Sequence, residues 1–160
     1  MAGARIVIDS NVAEVSARLA QLAARLDPAH MRLVYGQIGA YLERSLDERF
    51  ARGEAPDGSK WAPLSPVTLA RKPKNKDKVL QMEGYLRDSF HYQIEPDGVL
   101  FGTNDIRAAT HQFGAKQGAF GRTKRGGPIP WGDIPAREML GLSREDEAEI
   151  LAILADHLAP

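Results

Sequence analysis

Residues 28–51 read PAHMRLVYGQIGAYLERSLDERFA, and this stretch decides the fold. Met31, Val34, Tyr35, Ile38, Leu42, Leu46 and Phe50 recur at three- and four-residue steps, the spacing of one face of an α-helix. The same period places Glu43, Arg44, Asp47, Glu48 and Arg49 on the wet side. Pro28 suits a first helical turn, where its missing N–H leaves nothing unpaired, and Asp27 before it offers a capping oxygen. The stretch predicts a long amphipathic helix from about Pro28 to about Ala51, a spine for one hydrophobic core.

Toward the N-terminus, Val12, Val15, Leu19, Leu22 and Leu26 repeat the helical step, so a first helix precedes the spine with its stripe facing a core or a partner. Ser10 and Asn11 offer N-cap oxygens, Asn11 and Glu14 have capping-box spacing, and Ile6-Val7-Ile8 suggests a short first strand. Beyond the spine, Pro56-Asp57-Gly58-Ser59-Lys60-Trp61-Ala62-Pro63-Leu64 forms an irregular loop anchored by one indole. Ser65 and Pro66 then start a short helix to about Arg71. Residues 71–78, RKPKNKDK, alternate positive charges around a proline and predict a mobile, solvent-exposed loop.

A short helix around Glu83 to Ser89 is expected to turn Leu80, Tyr85 and Leu86 inward. Phe90 to Ile94 and Val99 to Gly102, joined by Pro96-Asp97-Gly98, read as a β-hairpin. Asn104 caps a brief helix over Asp105 to Gln112, closed by Gly114. Lys116 to Pro130 carries Lys116, Arg122, Lys124 and Arg125 among glycines and prolines without one acid, a long basic loop. Ser143, with Asp146 three positions on, opens a last helix to about Leu158, apolar at Ile150, Ile153, Leu154 and Leu158. Together these elements predict an α+β fold of long amphipathic helices packed on a small antiparallel sheet. One domain is expected over 1–160, with flexible loops at 71–78 and 115–130.

The 160 residues suffice to bury about two-thirds of the surface of the unfolded chain. Lys plus Arg and Asp plus Glu total 21 each, so there is no global pull toward nucleic acid or anionic lipid. With no cysteine, disulfides and thiolate catalysis are excluded and a reducing compartment is favoured. Neither a signal-peptide core nor an apolar run of about 18–20 residues occurs, so the expectation is a soluble, unsecreted protein with no membrane partner.

Catalytic chemistry has little to stand on. His30, His91, His111 and His157 lack the spacing that sets two ligands on one helix face, so no metal is expected. The glycines around Gly121-Arg122-Thr123-Lys124 match no phosphate-cradling pattern, Ser65 lacks nucleophile-elbow glycines, and no carboxylate pair stands out. The expectation is no enzyme and no cofactor. Phe120 among Arg122, Lys124 and Arg125 suggests a small DNA-binding module as the alternative, weighed against the more favoured solvated loop. Trp61 reads as a core aromatic under its loop, and Trp131, between Pro130 and Gly132, as an interface anchor.

Several of these features fall in a recognisable order. The helix ending in Phe50 is followed by Pro56-Asp57-Gly58 with Trp61, then by Leu80, Gly84, Leu86, Arg87 and Ser89, then Gly102-Thr103-Asn104 and His111-Gln112-Phe113-Gly114. Ile134-Pro135-Ala136-Arg137-Glu138-Met139-Leu140-Gly141-Leu142-Ser143 and the final helix with Asp146, Glu149 and Ile150 complete the series. In this order the chain resembles the phage virion morphogenesis, or tail completion, family, with Pro56, Asp57, Gly58 and Trp61 as its marker loop. The resemblance implies a non-enzymatic structural protein of contractile-tailed phages or prophages, acting when the tail is finished and joined to the head. It further implies a homo-oligomeric ring at the neck or tail top, partnered by other tail and neck proteins and assembled in the bacterial host cytoplasm. DNA is then at most a non-specific neighbour. Interface candidates are Phe120, Arg122, Lys124, Arg125, Trp131 and Arg137. For Arg137, hydrogen bonds to helix-end carbonyls in its own subunit are preferred over a pair across subunits.

Overall fold

A computed structural model describes residues 12–159. The expected strand at Ile6 to Ile8 and the caps at Ser10 and Asn11 lie outside the described residues. In chain order the elements are α1 (Val12–Arg25), α2 (Pro28–Arg52), α3 (Pro66–Arg71), a 3-10 turn (Arg87–Ser89), β1 (His91–Glu95), β2 (Gly98–Gly102), α4 (Ile106–Phe113) and α5 (Arg144–Leu158). The fold is α+β, with helices packed on one two-stranded antiparallel sheet. No helix among the described residues is long and apolar enough to cross a membrane.

Helix starts follow the local chemistry. Asp27 accepts from Ala29 N before Pro28, Ser65 accepts from Thr68 N before Pro66, and Ser143 with Asp146 forms a complete capping box. The α4 cap departs from expectation: Asp105, one residue past Asn104, accepts from Arg107 N, and its carboxylate also pairs with the Arg107 side chain. Ionic pairing decides in favour of the acid.

Two apolar clusters divide the length of α2. Val34, Ile38 and Leu42 meet Ile150, Ile153 and Leu154 of α5, together with Val99 and Phe101 of β2. Leu46 and Phe50 meet Ala55, Trp61, Leu86, Phe90, Ala108 and Met139. The hairpin, in register from His91↔Gly102 to Glu95↔Gly98, lies across α2 where that helix presents Gly36 and Gly39. A Cβ on Gly39 would overlap the Tyr92 ring, and one on Gly36 would sit 3.8 Å from Ile94 Cδ1. The two glycines let the sheet approach the helix backbone.

Three expectations are corrected. Arg49 is buried rather than wet, because it stands seven residues after Leu42 and three after Leu46, on the buried face of α2, and the 139–146 segment covers it there. Residues 83–86 are irregular and Tyr85 points out, since Gly84 takes φ 93° and interrupts any helix before the turn at Arg87. Lys72, within the expected solvent-exposed loop, is buried, with its ammonium donating to the carbonyls of Asn75 and Lys78. That ammonium supplies the donors that organise the turn around it.

Candidate assembly surface

The segment from Ile134 to Ser143 has no helix and a single bridge at Ile134, so most of its backbone groups must find partners elsewhere. Many of them find side chains brought from distant elements. The Gln112 carboxamide oxygen accepts from Met139 N (2.8 Å) and Leu140 N (3.0 Å), while its amide donates to Leu140 O (3.0 Å). Arg137 N donates to His111 O at 2.6 Å. The α4 end that carries this pair turns at Gly114, φ 73°, where a Cβ would sit 2.8 Å from Ile134 O. Met139 is fully buried beneath these contacts.

The marker loop locks onto the same segment. Asp57 Oδ1 accepts from Ser59 N (2.9 Å) and Ser59 Oγ (2.6 Å), a local turn that holds its carboxyl below the usual range. Trp61, only 6% exposed, stacks edge-on against Phe50 with centroids 5.1 Å apart, and its Nε1 donates to Glu138 O at 2.8 Å. Arg137 reaches back across the loop, its Nε donating to Ala62 O (2.8 Å) and its Nη2 to Pro63 O (3.0 Å). These carbonyls belong to the Trp61 loop rather than to a helix end, which differs from the expected acceptors. The buried Arg137 guanidinium thus ties loop to segment inside one subunit.

A row of polar groups on α2, one turn apart, completes the lock. Arg49 Nη1 donates to Met139 O (3.1 Å) and Gly141 O (2.8 Å), and Nη2 to Asp146 Oδ2 (2.8 Å). Asp146 also accepts from Tyr41 OH, Ser45 Oγ and Ser143 N. Burial pulls the Arg49 pKa down, against the attraction of Asp146. Burial also pushes Asp146 up, but hydrogen bonds from Ser45 and Ser143 and the Arg49 charge outweigh it and keep that carboxyl below its ordinary value. Tyr41 is pushed up to about 12 by burial and by its bond to Asp146. Sequence reasoning missed this cluster, although the i, i+4, i+8 spacing of Tyr41, Ser45 and Arg49 was a visible signal of a polar row on one helix face.

Chemically, the cluster is closed on itself but for one guanidinium nitrogen. Among buried side-chain atoms of the described residues, Arg49 Nε and His111 Nδ1 are the ones without a partner. His111 is driven toward its neutral form by burial first and by the nearby Arg137 and Arg107 charges. It borders a groove of about 720 Å³ whose walls include Pro63, Leu64, Val67, Met82 and Ile134. No group of three or more metal-ligating side chains converges among the described residues.

The remaining sequence candidates lie together on one excursion of the chain. Ala115 and Ile134 exchange both backbone hydrogen bonds at its base, and Arg122 pairs with Pro128 near its tip. Phe120, Arg122, Lys124, Arg125 and Trp131 all ride on this loop, whereas Arg137 does not. Trp131 is 78% exposed and Phe120 is exposed. Arg122 donates to Gly126 O (2.9 Å) and Lys116 pairs with Asp133 (2.9 Å), while Lys124 and Arg125 are exposed. The α1 stripe is likewise uncovered among the described residues, with every side chain from Val12 to Ala24 exposed.

Comparison with known proteins gives these surfaces a context. The phage virion morphogenesis family matches residues 10–159. Tail completion protein S of Escherichia phage P2 is 27% identical over 145 residues, covering 88% of this chain and 93% of that protein. Mu-like prophage FluMu G protein 2 of Haemophilus influenzae is 29% identical over 148 residues, covering 92% of this chain and 91% of that one. No solved structure matches.

Proposed function

The chain belongs to the phage virion morphogenesis family, so virion assembly is its setting, and we propose that it is a non-catalytic tail subunit that finishes the tail and joins it to the head. In this reading copies of the chain form a ring at the neck or tail top, between other tail and neck proteins, after assembly in the host cytoplasm. The relative from phage P2 carries the name of a tail completion protein, which supports the assignment.

One observation carries the proposal: the side chains of the Trp61 loop and the 134–143 segment spend their polar groups on their own subunit. Large apolar side chains are left outside instead, at Trp131, Phe120 and the α1 stripe. A rigid body with adhesive elements on its exterior suits assembly, whereas catalysis requires polar groups converging on an open pocket. The family match lends nothing to a free-standing DNA-binding module. Within a ring, Lys124 and Arg125 would at most face the DNA path and meet phosphates without reading sequence.

The test is negative-stain imaging of particles made in a host that lacks this chain. Full-length tails unattached to heads are expected, with joining restored by the wild-type chain. Normally joined particles in its absence would refute the proposal.

A further inference from the structure

A helix of 14 residues is marginal in water unless something covers its apolar side. α1 touches the rest of the described chain at its C-terminal end, where Arg25 and His157 exchange hydrogen bonds with each other's backbone carbonyls. Its apolar residues follow a strict three-four spacing from Val12 to Leu26, the narrow seam of a helix that packs lengthwise on another helix. By helical geometry Arg18 and Arg25 edge one side of that seam, and small residues edge the other.

The same chain exposes a surface of opposite character. The outer face of α5 presents Leu151, 66% exposed, flanked by exposed alanines at the helical step, so bulky side chains can seat there. Glu145, Glu149 and Asp156, all exposed, run along the edge beyond the alanines, while the exposed Arg144 and Glu147 border Leu151 itself. Pairing of α1 with a second α1 fits less well. An antiparallel pair brings Arg18 near the Arg25 of the other copy, and a parallel pair sets both arginines against neutral small residues.

We propose that α1 of one copy docks on the outer face of α5 of the next, its apolar seam over Leu151 and the alanines beside it and its Arg18 against the acids Glu145, Glu149 and Asp156. Repeated in one direction from copy to copy, the contact is head-to-tail and closes into a ring when the rotation permits. This interface rests on the oligomeric reading above and names the surfaces that would build it.

The chain contains no cysteine, so engineered thiols report the contact directly. Mixing Leu19→Cys protein with Ala152→Cys protein under oxidised glutathione should give a one-to-one disulfide dimer, formed faster than in either protein alone. Arg18→Glu in the first partner should slow that reaction about tenfold at low salt, and Glu149→Lys in the second should restore it. The proposal is overturned if Leu19→Cys alone dimerises as fast as the mixture, if a chain carrying both cysteines closes on itself, or if the mixture reacts no faster than an Asp97→Cys control. Infection assays separate the two readings. A failed crosslink with a chain still required for head joining removes this interface alone, whereas a dispensable chain removes the proposed function.

Discussion

Replacing Arg49 with methionine keeps the length and apolar stem of the side chain and removes only its charge and donors. In the folded chain this strips Asp146 of its counter-charge at 2.8 Å, and leaves Met139 O and Gly141 O without the Nη1 donor that now serves both. Both partners are nearly inaccessible, at 4% for Arg49 and 1% for Asp146, so water cannot replace what is lost. Breaking a buried pair by removing one partner costs about 3–5 kcal/mol. For a chain of this length that corresponds to a fall in melting temperature of about 6–20 °C.

The pH dependence sharpens the expectation. In the native chain the folded Asp146 pKa is depressed, so its contribution is present above the unfolded value and is lost as pH falls through the folded one. Without Arg49 the hydrogen bonds from Ser45 and Ser143 remain, so the depression of that pKa becomes smaller. The variant's relative deficit should then be full at neutral pH and shrink as pH falls through the carboxylate range, where a protonated Asp146 no longer needs a counter-charge. Urea unfolding of both proteins from neutral pH down through the carboxylate range measures this. A deficit below about 1 kcal/mol throughout, as for an exposed pair, would refute the reasoning. So would a deficit that grows toward acid. Arg52→Met serves as the control, because its partners Glu48 and Glu54 are reached at the surface and the melt should barely move.

Trp61→Ala removes a buried indole and its bond to Glu138 O and should cost about 3–5 kcal/mol, whereas Trp131→Ala should leave the melt unchanged and weaken particle assembly. Equal effects on the melt would contradict that division. Gly39→Ala drives a methyl into the Tyr92 ring and should cost about 1–3 kcal/mol, with Tyr92→Ala making the second change less harmful than it is alone. Strict additivity in chemical denaturation would rule out the contact as the cause. His111, whose folded pKa is lowered, stabilises above its unfolded value and loses that contribution as pH falls through the folded one. His111→Gln should therefore flatten the stability decline between pH 7 and pH 5, and an unchanged slope would count against the buried neutral imidazole.

Much of the architecture was legible because its causes are local. The period of α2, the caps at Asp27, Ser65 and Ser143, and the turn between β1 and β2 are each set by residues within a few positions of one another. Trp61 as a core residue followed from its size and loop setting. Arg49 was misplaced because its charge outweighed its position: the helical step sets it beside Leu42 and Leu46 on the buried face, and the carbonyls and carboxylate that satisfy it come from about 90 residues away. A glycine inside a helix costs stability, and only the hairpin lying across Gly36 and Gly39 shows why small residues stand there. The interface elements were partly visible: the basic excursion and Trp131 by composition, and the α1 stripe by its step, with its exposure left open.

By itself the sequence determined the long helices, the hairpin, most of the caps, and the order of motifs that places the chain in its family. The tertiary structure decided which polar groups are spent inside the subunit and which apolar ones remain outside. That division depends on whether a distant surface arrives to cover a side chain. Pairs such as Arg49 with Asp146, or Trp61 with Glu138, form only once packing has brought remote stretches together.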